Sequence, residues 1–125
     1  MEKDPSDSIP LISQEFSDEL FAPEDDPETT AMQRDIWLPI RSGLESELKA
    51  LEGLGSGEMK AHLHRIRGYV SSASLLRLGA ILLAWEDEPS RSDYFLPLAL
   101  GTSRASILEV ERRFPHLVRG VESAG

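Results

Sequence analysis

Apolar residues that recur every three or four positions constrain the fold of this 125-residue chain more than any other feature. One stripe spans residues 32–51, a second 59–70, a third 75–85 and a fourth 96–117. A 3.6-residue period puts such residues on one face of an α-helix. Strand-like alternation and Asn-Gly or Asp-Gly hairpin turns are missing from the sequence. The pattern therefore predicts an all-α protein.

The bounds of the helices follow from breaks in this pattern. The apolar phase jumps after Val70, which predicts that a helix ends within residues 71–74 and that a serine there caps the next one. Pro39 lies inside the first stripe and predicts a kink or a break near Trp37. The predicted helices are about 28–53, about 57–71, about 74–87, and from an N-cap at Asp93 to about Phe114.

These helices, each with one apolar face and short connections, are expected to pack as an antiparallel four-helix bundle. A short amphipathic segment, about residues 11–21, adds an N-terminal helix. We expect residues 1–10 to form a disordered tail and residues 11–120 to form a single domain.

Charge and composition exclude several functional classes. Through Asp35 the chain has 11 acidic and 2 basic residues, whereas the remainder has 11 of each, so the whole net charge of -9 lies in the N-terminal third. This distribution argues against nucleic-acid binding. No apolar run approaches the ~18 residues of a membrane span, and no export signal is recognisable, so we expect a cytoplasmic protein without a membrane partner. The lack of cysteine excludes thiol chemistry and disulfides.

One stretch, residues 59–85, lacks acidic residues and carries the candidate chemistry. On a helical wheel with Leu63 and Ile66 inward, His64 points to solvent. On the same face, Lys60, Arg67 and Gly68 lie one turn from His64 and Ser71 lies two turns after it. Arginine pairs well with phosphoryl oxygens, and a helical glycine gives clearance for a second surface. We therefore predict an exposed imidazole that receives an anionic group.

Other residues that suggest chemistry have plainer explanations. His62 lies too far round the helix to share a metal with His64, and no metal site is expected. His116 is interpreted as a surface residue, and Trp37 and Trp85 as packing residues. The acidic residues between Pro23 and Pro27 are interpreted as a solvated linker.

The run His64-Arg-Ile-Arg-Gly68 resembles the His-x-Leu-Lys-Gly signature of histidine-containing phosphotransfer (HPt) domains. The resemblance extends over nearly the whole chain, through the small residues 71–74, the leucine-rich segment ending at Glu86, and residues 10–20. It departs from the family at Tyr69 and Val70, where small residues are usual, and at Ser74, where glycine is common.

The resemblance implies a phosphocarrier. His64 would accept a phosphoryl group from a receiver-domain aspartate and pass it to another receiver, and a hybrid histidine kinase is a further implied partner. Arg67 and Lys60 would stabilise the phosphoryl group, Gly68 would give clearance, and Ala61, Arg65 and Ser71 would line the partner-binding face. The chain would need no cofactor of its own, because Mg²⁺ would come with the receiver, and it would act as a monomer rather than as an independent enzyme.

A second hypothesis keeps the same surface without the chemistry. Tyr69, Val70 and the acidic N-terminal segment are consistent with an HPt-like interaction module that docks a receiver or another partner and does not transfer phosphate.

Overall fold

A computed structural model describes residues 8–118, and every regular element in that range is helical. The α-helices are α1 Gln14–Phe21, α2 Pro27–Ala50, α3 Ser56–Ser72, α4 Leu76–Asp87 and α5 Ser92–Arg113. Single 3₁₀ turns follow α2, α4 and α5 at Leu51–Gly53, Pro89–Arg91 and Pro115–Leu117. The all-α prediction is confirmed. Residues 1–7 of the predicted tail, and residues 119–120 at the end of the predicted domain, lie outside the described residues.

The long helices are held together by one apolar core. Helix α3 packs on α4, and α5 packs on both α4 and α2. Fully buried side chains come from each of the four long helices: Leu44, Leu48, Leu63, Ile66, Val70, Leu78, Leu82 and Val110. Each such side chain contributes roughly 1.5–3 kcal/mol on burial. In the described part of the chain, no helix is both long and apolar enough to cross a membrane.

Helix α2 differs from the prediction in two ways. It runs without a break from Pro27 to Ala50, so the predicted break near Trp37 is wrong. Pro39 is exposed, while Trp37 and Ile40 on either side of it are buried in the core. Met32, the first residue of the predicted stripe, is exposed, and Gln33 is buried in its place. The Gln33 amide is satisfied there because its Nε2 donates to the Ala22 carbonyl at 2.8 Å.

The turn between α3 and α4 is closed by backbone hydrogen bonds, not by a capping serine. Leu75 N donates to Val70 O at 3.0 Å, Ser74 N donates to Ser71 O at 3.1 Å, and Ser74 has a φ of 68°. These two bonds and the left-handed residue form a Schellman motif. The predicted serine cap of α4 is wrong, because Leu75 occupies that position without a side-chain hydrogen bond. Asp93 is likewise inside α5 and does not cap it.

Helix α1 is tied to this turn. The Ser13 amide donates to the Ser74 carbonyl at 3.0 Å, and the buried hydroxyls of Ser17 and Ser74 share a hydrogen bond of 2.5 Å. The Arg77 Nε donates to the Ile9 carbonyl at 2.6 Å. These bonds fix the segment before α1 across the start of α4, next to the C-terminal half of α3.

The Ser74 hydroxyl explains why glycine is not required at this left-handed position. Ser74→Gly removes a backbone strain of about 1 kcal/mol but leaves the buried Ser17 hydroxyl unpaired, at a similar cost. We expect this variant to change the free energy of unfolding by less than about 1 kcal/mol. The double variant Ser17→Ala, Ser74→Gly should be about 1 kcal/mol more stable than Ser74→Gly alone, as measured by urea unfolding. Equal stability of the two variants would contradict this explanation.

Candidate functional site

The exposed face of α3 carries the candidate site. Leu63 and Ile66 are buried, so the side chain of His64 between them is turned outward and is 73% exposed. The helical wheel predicts this orientation because positions 63, 66 and 70 share one face of the helix and position 64 does not. The imidazole is therefore accessible to another molecule.

A buried carboxylate lies beneath this imidazole. Glu86, at the C-terminal end of α4, has a side chain that is only 8% exposed. It forms a short hydrogen bond with the Arg67 Nε, and its Oε1 lies 3.5 Å from the Arg67 Nη2. The hydrogen bond with Glu86 raises the pKa of Arg67 above its ordinary value. A buried carboxylate needs such a partner, because an unpaired charge there would cost several kcal/mol.

His64 joins this pair through one ring nitrogen. The Arg67 Nη2 donates to His64 Nδ1 at 3.0 Å, and the Glu86 Oε1 lies 3.4 Å from the same nitrogen. Helix α3 supplies His64 and Arg67 one turn apart, and α4 supplies the carboxylate from below. The three residues form one connected group, which we call the His64 triad.

The remaining predicted site residues are all exposed on α3: Lys60, Ala61, Arg65, Gly68 and Ser71. Lys60 and Ala61 line a shallow, open depression together with His64 and Glu86. Among the described residues, no neighbouring atom lies within 4 Å of where a Cβ at Gly68 would stand, so no contact in residues 8–118 requires glycine there.

Arg65 is the exception to the predicted grouping. Its Nη2 contacts His62 Nδ1 at 3.1 Å, and its Nη1 lies 3.9 Å from Glu47 Oε1 on α2. These contacts turn it towards α2 and away from the His64 triad.

Tyr69 and Val70, two of the three residues that depart from the HPt pattern, lie away from the exposed imidazole. Val70 is fully buried, and Tyr69 is half-buried with its hydroxyl donating to Glu47 in a short hydrogen bond. Burial, followed by the hydrogen bond with Glu47, raises the pKa of Tyr69 well above its ordinary value. Tyr69 is thus tied to α2 and Val70 belongs to the core, and neither side chain covers His64, which is 73% exposed.

An apolar groove adjoins the site on its α4 side. Its lining includes Phe16, Leu76 and Leu83, of which Leu76 is 46% exposed and Leu83 is 48% exposed. Arg67 and Ser71 also line it, so the groove is continuous with the His64 triad. Large apolar side chains left open in one continuous patch are typical of interaction surfaces. The sequence alone does not predict this groove, because α1 and α4 contribute to it together.

The tryptophans and His116 lie outside the site. Trp37 and Trp85 are fully buried, which confirms them as packing residues. His116 is wrongly described as a surface residue, because it is half-buried, its Nε2 lies 3.0 Å from Gln33 Oε1, and its carbonyl accepts from Arg34. Both contacts connect the chain after α5 to α2.

The acidic linker has a structural role that the sequence interpretation omitted. Asp26 caps α2, since its Oδ1 accepts from the Glu28 amide at 3.1 Å and its Oδ2 accepts from the Thr29 hydroxyl at 2.8 Å. These bonds, that from Thr29 first, lower the pKa of Asp26. Across residues 8–118 no three acidic or histidine side chains come together as a metal-binding group.

Glu86 is the site residue that sequence reasoning did not select. It lies 19 residues after Arg67, on another helix, and a wheel of α3 cannot show that contact. The available signal was its place as the first acidic residue after the acid-free stretch 59–85.

Comparison with known proteins gives no match to this chain among family models, curated proteins or solved structures.

Proposed function

We propose that the chain is a histidine phosphocarrier, in which His64 accepts a phosphoryl group from a receiver-domain aspartate and passes it to another receiver. The observation that carries the proposal is the His64 triad: an exposed imidazole with a guanidinium at 3.0 Å and a buried carboxylate at 3.4 Å, all on one nitrogen. The motif His64-Arg-Ile-Arg-Gly68, which resembles the HPt signature, supports the same function. The domain would be an antiparallel bundle of α2–α5, with α1 as the additional helix.

The geometry favours one nitrogen of the ring as the acceptor. Both contacts of the triad are made on Nδ1, so Nε2 lies on the edge of the ring that faces away from Glu86. In the transfer, the Nε2 lone pair attacks phosphorus in line, the bond between phosphorus and the aspartyl oxygen breaks, and the carboxylate leaves with that electron pair. The product is a phosphoramidate on Nε2. Return transfer to a second receiver reverses each of these changes.

Two cations are placed to stabilise the transferring group. Arg67 is in direct contact with the ring, and Lys60 lies one turn before His64 on the same exposed face. Charge that develops on phosphoryl oxygens is stabilised by such donors, and most of the remaining catalytic apparatus comes with the partner. Mg²⁺ belongs to the receiver in this proposal, and the chain itself contributes position and charge.

The apolar groove is the surface on which the receiver would dock. Because Arg67 and Ser71 belong both to the groove and to the site, a partner seated on Leu76 and Leu83 is brought next to the imidazole. The occupant we propose is an amphipathic helix of the receiver, since apolar helix faces fit grooves of this kind. Ala61 and Gly68 would form the rest of the docking face, and the chain would act as a monomer.

The alternative is an interaction module that docks a receiver without accepting phosphate. The bond between Arg67 and buried Glu86 favours it, because a guanidinium held by a carboxylate is less available to a phosphoryl group. The two functions differ in one measurable property, which is covalent labelling of His64.

The test is phosphotransfer from a ³²P-labelled receiver domain to the purified chain. We expect acid-labile labelling of the wild type and of His62→Gln, and none of His64→Gln. His62 is a matched control, because it lies on the same helix and also contacts an arginine one turn later, Arg65. Equal labelling of His64→Gln would exclude His64 as the acceptor. Binding of the receiver without any labelling would favour the interaction module.

A further inference from the structure

The two groups that face His64 Nδ1 favour different protonation states of that nitrogen. Arg67 Nη2, at 3.0 Å, can only donate a hydrogen bond, and Glu86 Oε1, at 3.4 Å, can only accept one when ionised. The shorter distance belongs to Arg67 and is within hydrogen-bonding range, whereas 3.4 Å is long for a charged pair. In this arrangement Nδ1 contributes its lone pair to the guanidinium.

This contact fixes the tautomer of the neutral ring. If Nδ1 accepts a hydrogen bond, the single ring proton is on Nε2. A protonated Nε2 has no lone pair for phosphorus, so the arrangement described is a resting one.

We propose that Arg67 is a positioning residue that holds the resting imidazole in the Nε2-protonated tautomer, and that an incoming phosphoryl group releases the ring by taking the guanidinium. This inference rests on the proposed function, since it describes how the same site changes from a resting to a reactive form.

When the ring is released from Arg67, one guanidinium contact changes its partner and one ring proton changes its nitrogen. The Arg67 Nη2 leaves Nδ1 for a phosphoryl oxygen, and the ring exchanges its Nε2 proton for one on Nδ1 through solvent. The new Nδ1–H donates to Glu86 Oε1, and the Nε2 lone pair attacks phosphorus. As the bond between Nε2 and phosphorus forms, the ring gains positive charge, which the Glu86 carboxylate offsets.

The shape of arginine makes this exchange feasible. The guanidinium is a planar fork, so its Nε stays on Glu86 while its Nη2 contacts His64. A small movement of the Nη2 end changes the partner of Nδ1 without breaking the buried ion pair. The arginine at position 67, where the resembled signature has lysine, is therefore central to the inference.

The chain contains an internal comparison for this arrangement. His62 and Arg65 repeat the spacing of His64 and Arg67, with a contact of 3.1 Å between Arg65 Nη2 and His62 Nδ1. Glu47 contacts Arg65 at 3.9 Å, and its side chain is 37% exposed. Glu47 therefore holds Arg65 less closely than Glu86 holds Arg67. The contacts described around His62 include none with Glu47.

The experiment is long-range ¹H–¹⁵N NMR of the histidine rings, at a pH where the imidazoles of His62 and His64 are both neutral. In the wild type we expect His64 Nδ1 to show the shift of an unprotonated nitrogen. Arg67→Met keeps a long side chain but removes the donor, so the proton should move to Nδ1 and bond to Glu86. Adding Glu86→Met to that variant removes the acceptor for Nδ1–H, so the proton should return to Nε2. Arg65→Met should leave the His64 signals unchanged.

Two results would overturn the inference: a wild-type His64 already protonated on Nδ1, or an Arg67→Met ring still protonated on Nε2. Arg67→Lys is the second variant, because its ammonium keeps a cation beside buried Glu86 but lacks the planar fork that contacts Glu86 and His64 together, and the His62 signals report an intact α3 in each sample. The measurement needs no phosphodonor. If the tautomer switches in the variants but the chain never accepts phosphate, the proposed function and the release step are contradicted, whereas the role of Arg67 in holding the resting tautomer stands.

Discussion

Gly68→Gln is expected to stabilise the folded chain and to remove most of its phosphotransfer. Glycine inside a helix costs about 0.5–1 kcal/mol, and the space around position 68 is open, so the variant should unfold at higher urea concentration. The same side chain would stand one turn from His64, on the face where the proposed receiver would approach. We expect the rate of labelling to fall at least about tenfold, which corresponds to about 1.4 kcal/mol of lost binding or transition-state stabilisation.

Gly101→Gln is the matched control. Gly101 is also an exposed glycine inside a long helix, with open space where a Cβ would stand, but it lies on α5 and lines neither the groove nor the site. It should gain similar stability and keep full labelling. Full labelling of Gly68→Gln, or equal loss in both variants, would show that Gly68 provides no clearance for a partner.

The double variant Leu76→Glu, Leu83→Glu should abolish most of the affinity for the receiver without unfolding the chain. Both side chains are about half exposed, so the folded state loses little packing. At an interface, by contrast, each well-placed apolar anchor contributes about 2 kcal/mol, so loss of even one should raise the dissociation constant about thirtyfold, and loss of both should raise it further. Titration of labelled receiver by fluorescence anisotropy measures it.

The control for this pair is Leu108→Glu. Leu108 is 69% exposed on α5 and does not line the groove, so its charge should leave the affinity unchanged. If the groove double variant binds the receiver as tightly as the wild type, the apolar groove is not the docking surface. If Leu108→Glu weakens binding as much as the groove double variant does, a general effect of added negative charge explains the loss.

The positions of the helices could be predicted where they depend only on the spacing of apolar residues along the sequence. The phase jump after Val70 predicts separate helices at about 57–71 and 74–87, and α3 and α4 are observed at Ser56–Ser72 and Leu76–Asp87. The details that failed depend on contacts between distant residues. Gln33 replaces Met32 in the core because it finds the Ala22 carbonyl, and Ser74 accepts a left-handed backbone because Ser17 reaches its hydroxyl.

The candidate site likewise has features that the sequence predicts and features that depend on contacts between helices. The exposure of His64 and its closeness to Arg67 follow from positions on a single helix, which a wheel represents correctly. Glu86 and the apolar groove required knowledge of how α4 lies against α3, and no spacing within one segment contains that information. The direction of Arg65, towards Glu47 on α2, was missed for the same reason.

His64 is proposed to receive phosphate on its outward nitrogen, Nε2. The most direct measurement is NMR of the ¹⁵N-histidine-labelled chain after incubation with a phosphorylated receiver, with ³¹P–¹⁵N coupling used to locate the new bond. We predict a single phosphoramidate, on Nε2 of His64, that disappears in acid and is absent from His64→Gln. A phosphoramidate on His62 or His116, or a bound receiver with no phosphorus on any ring nitrogen, would contradict this claim.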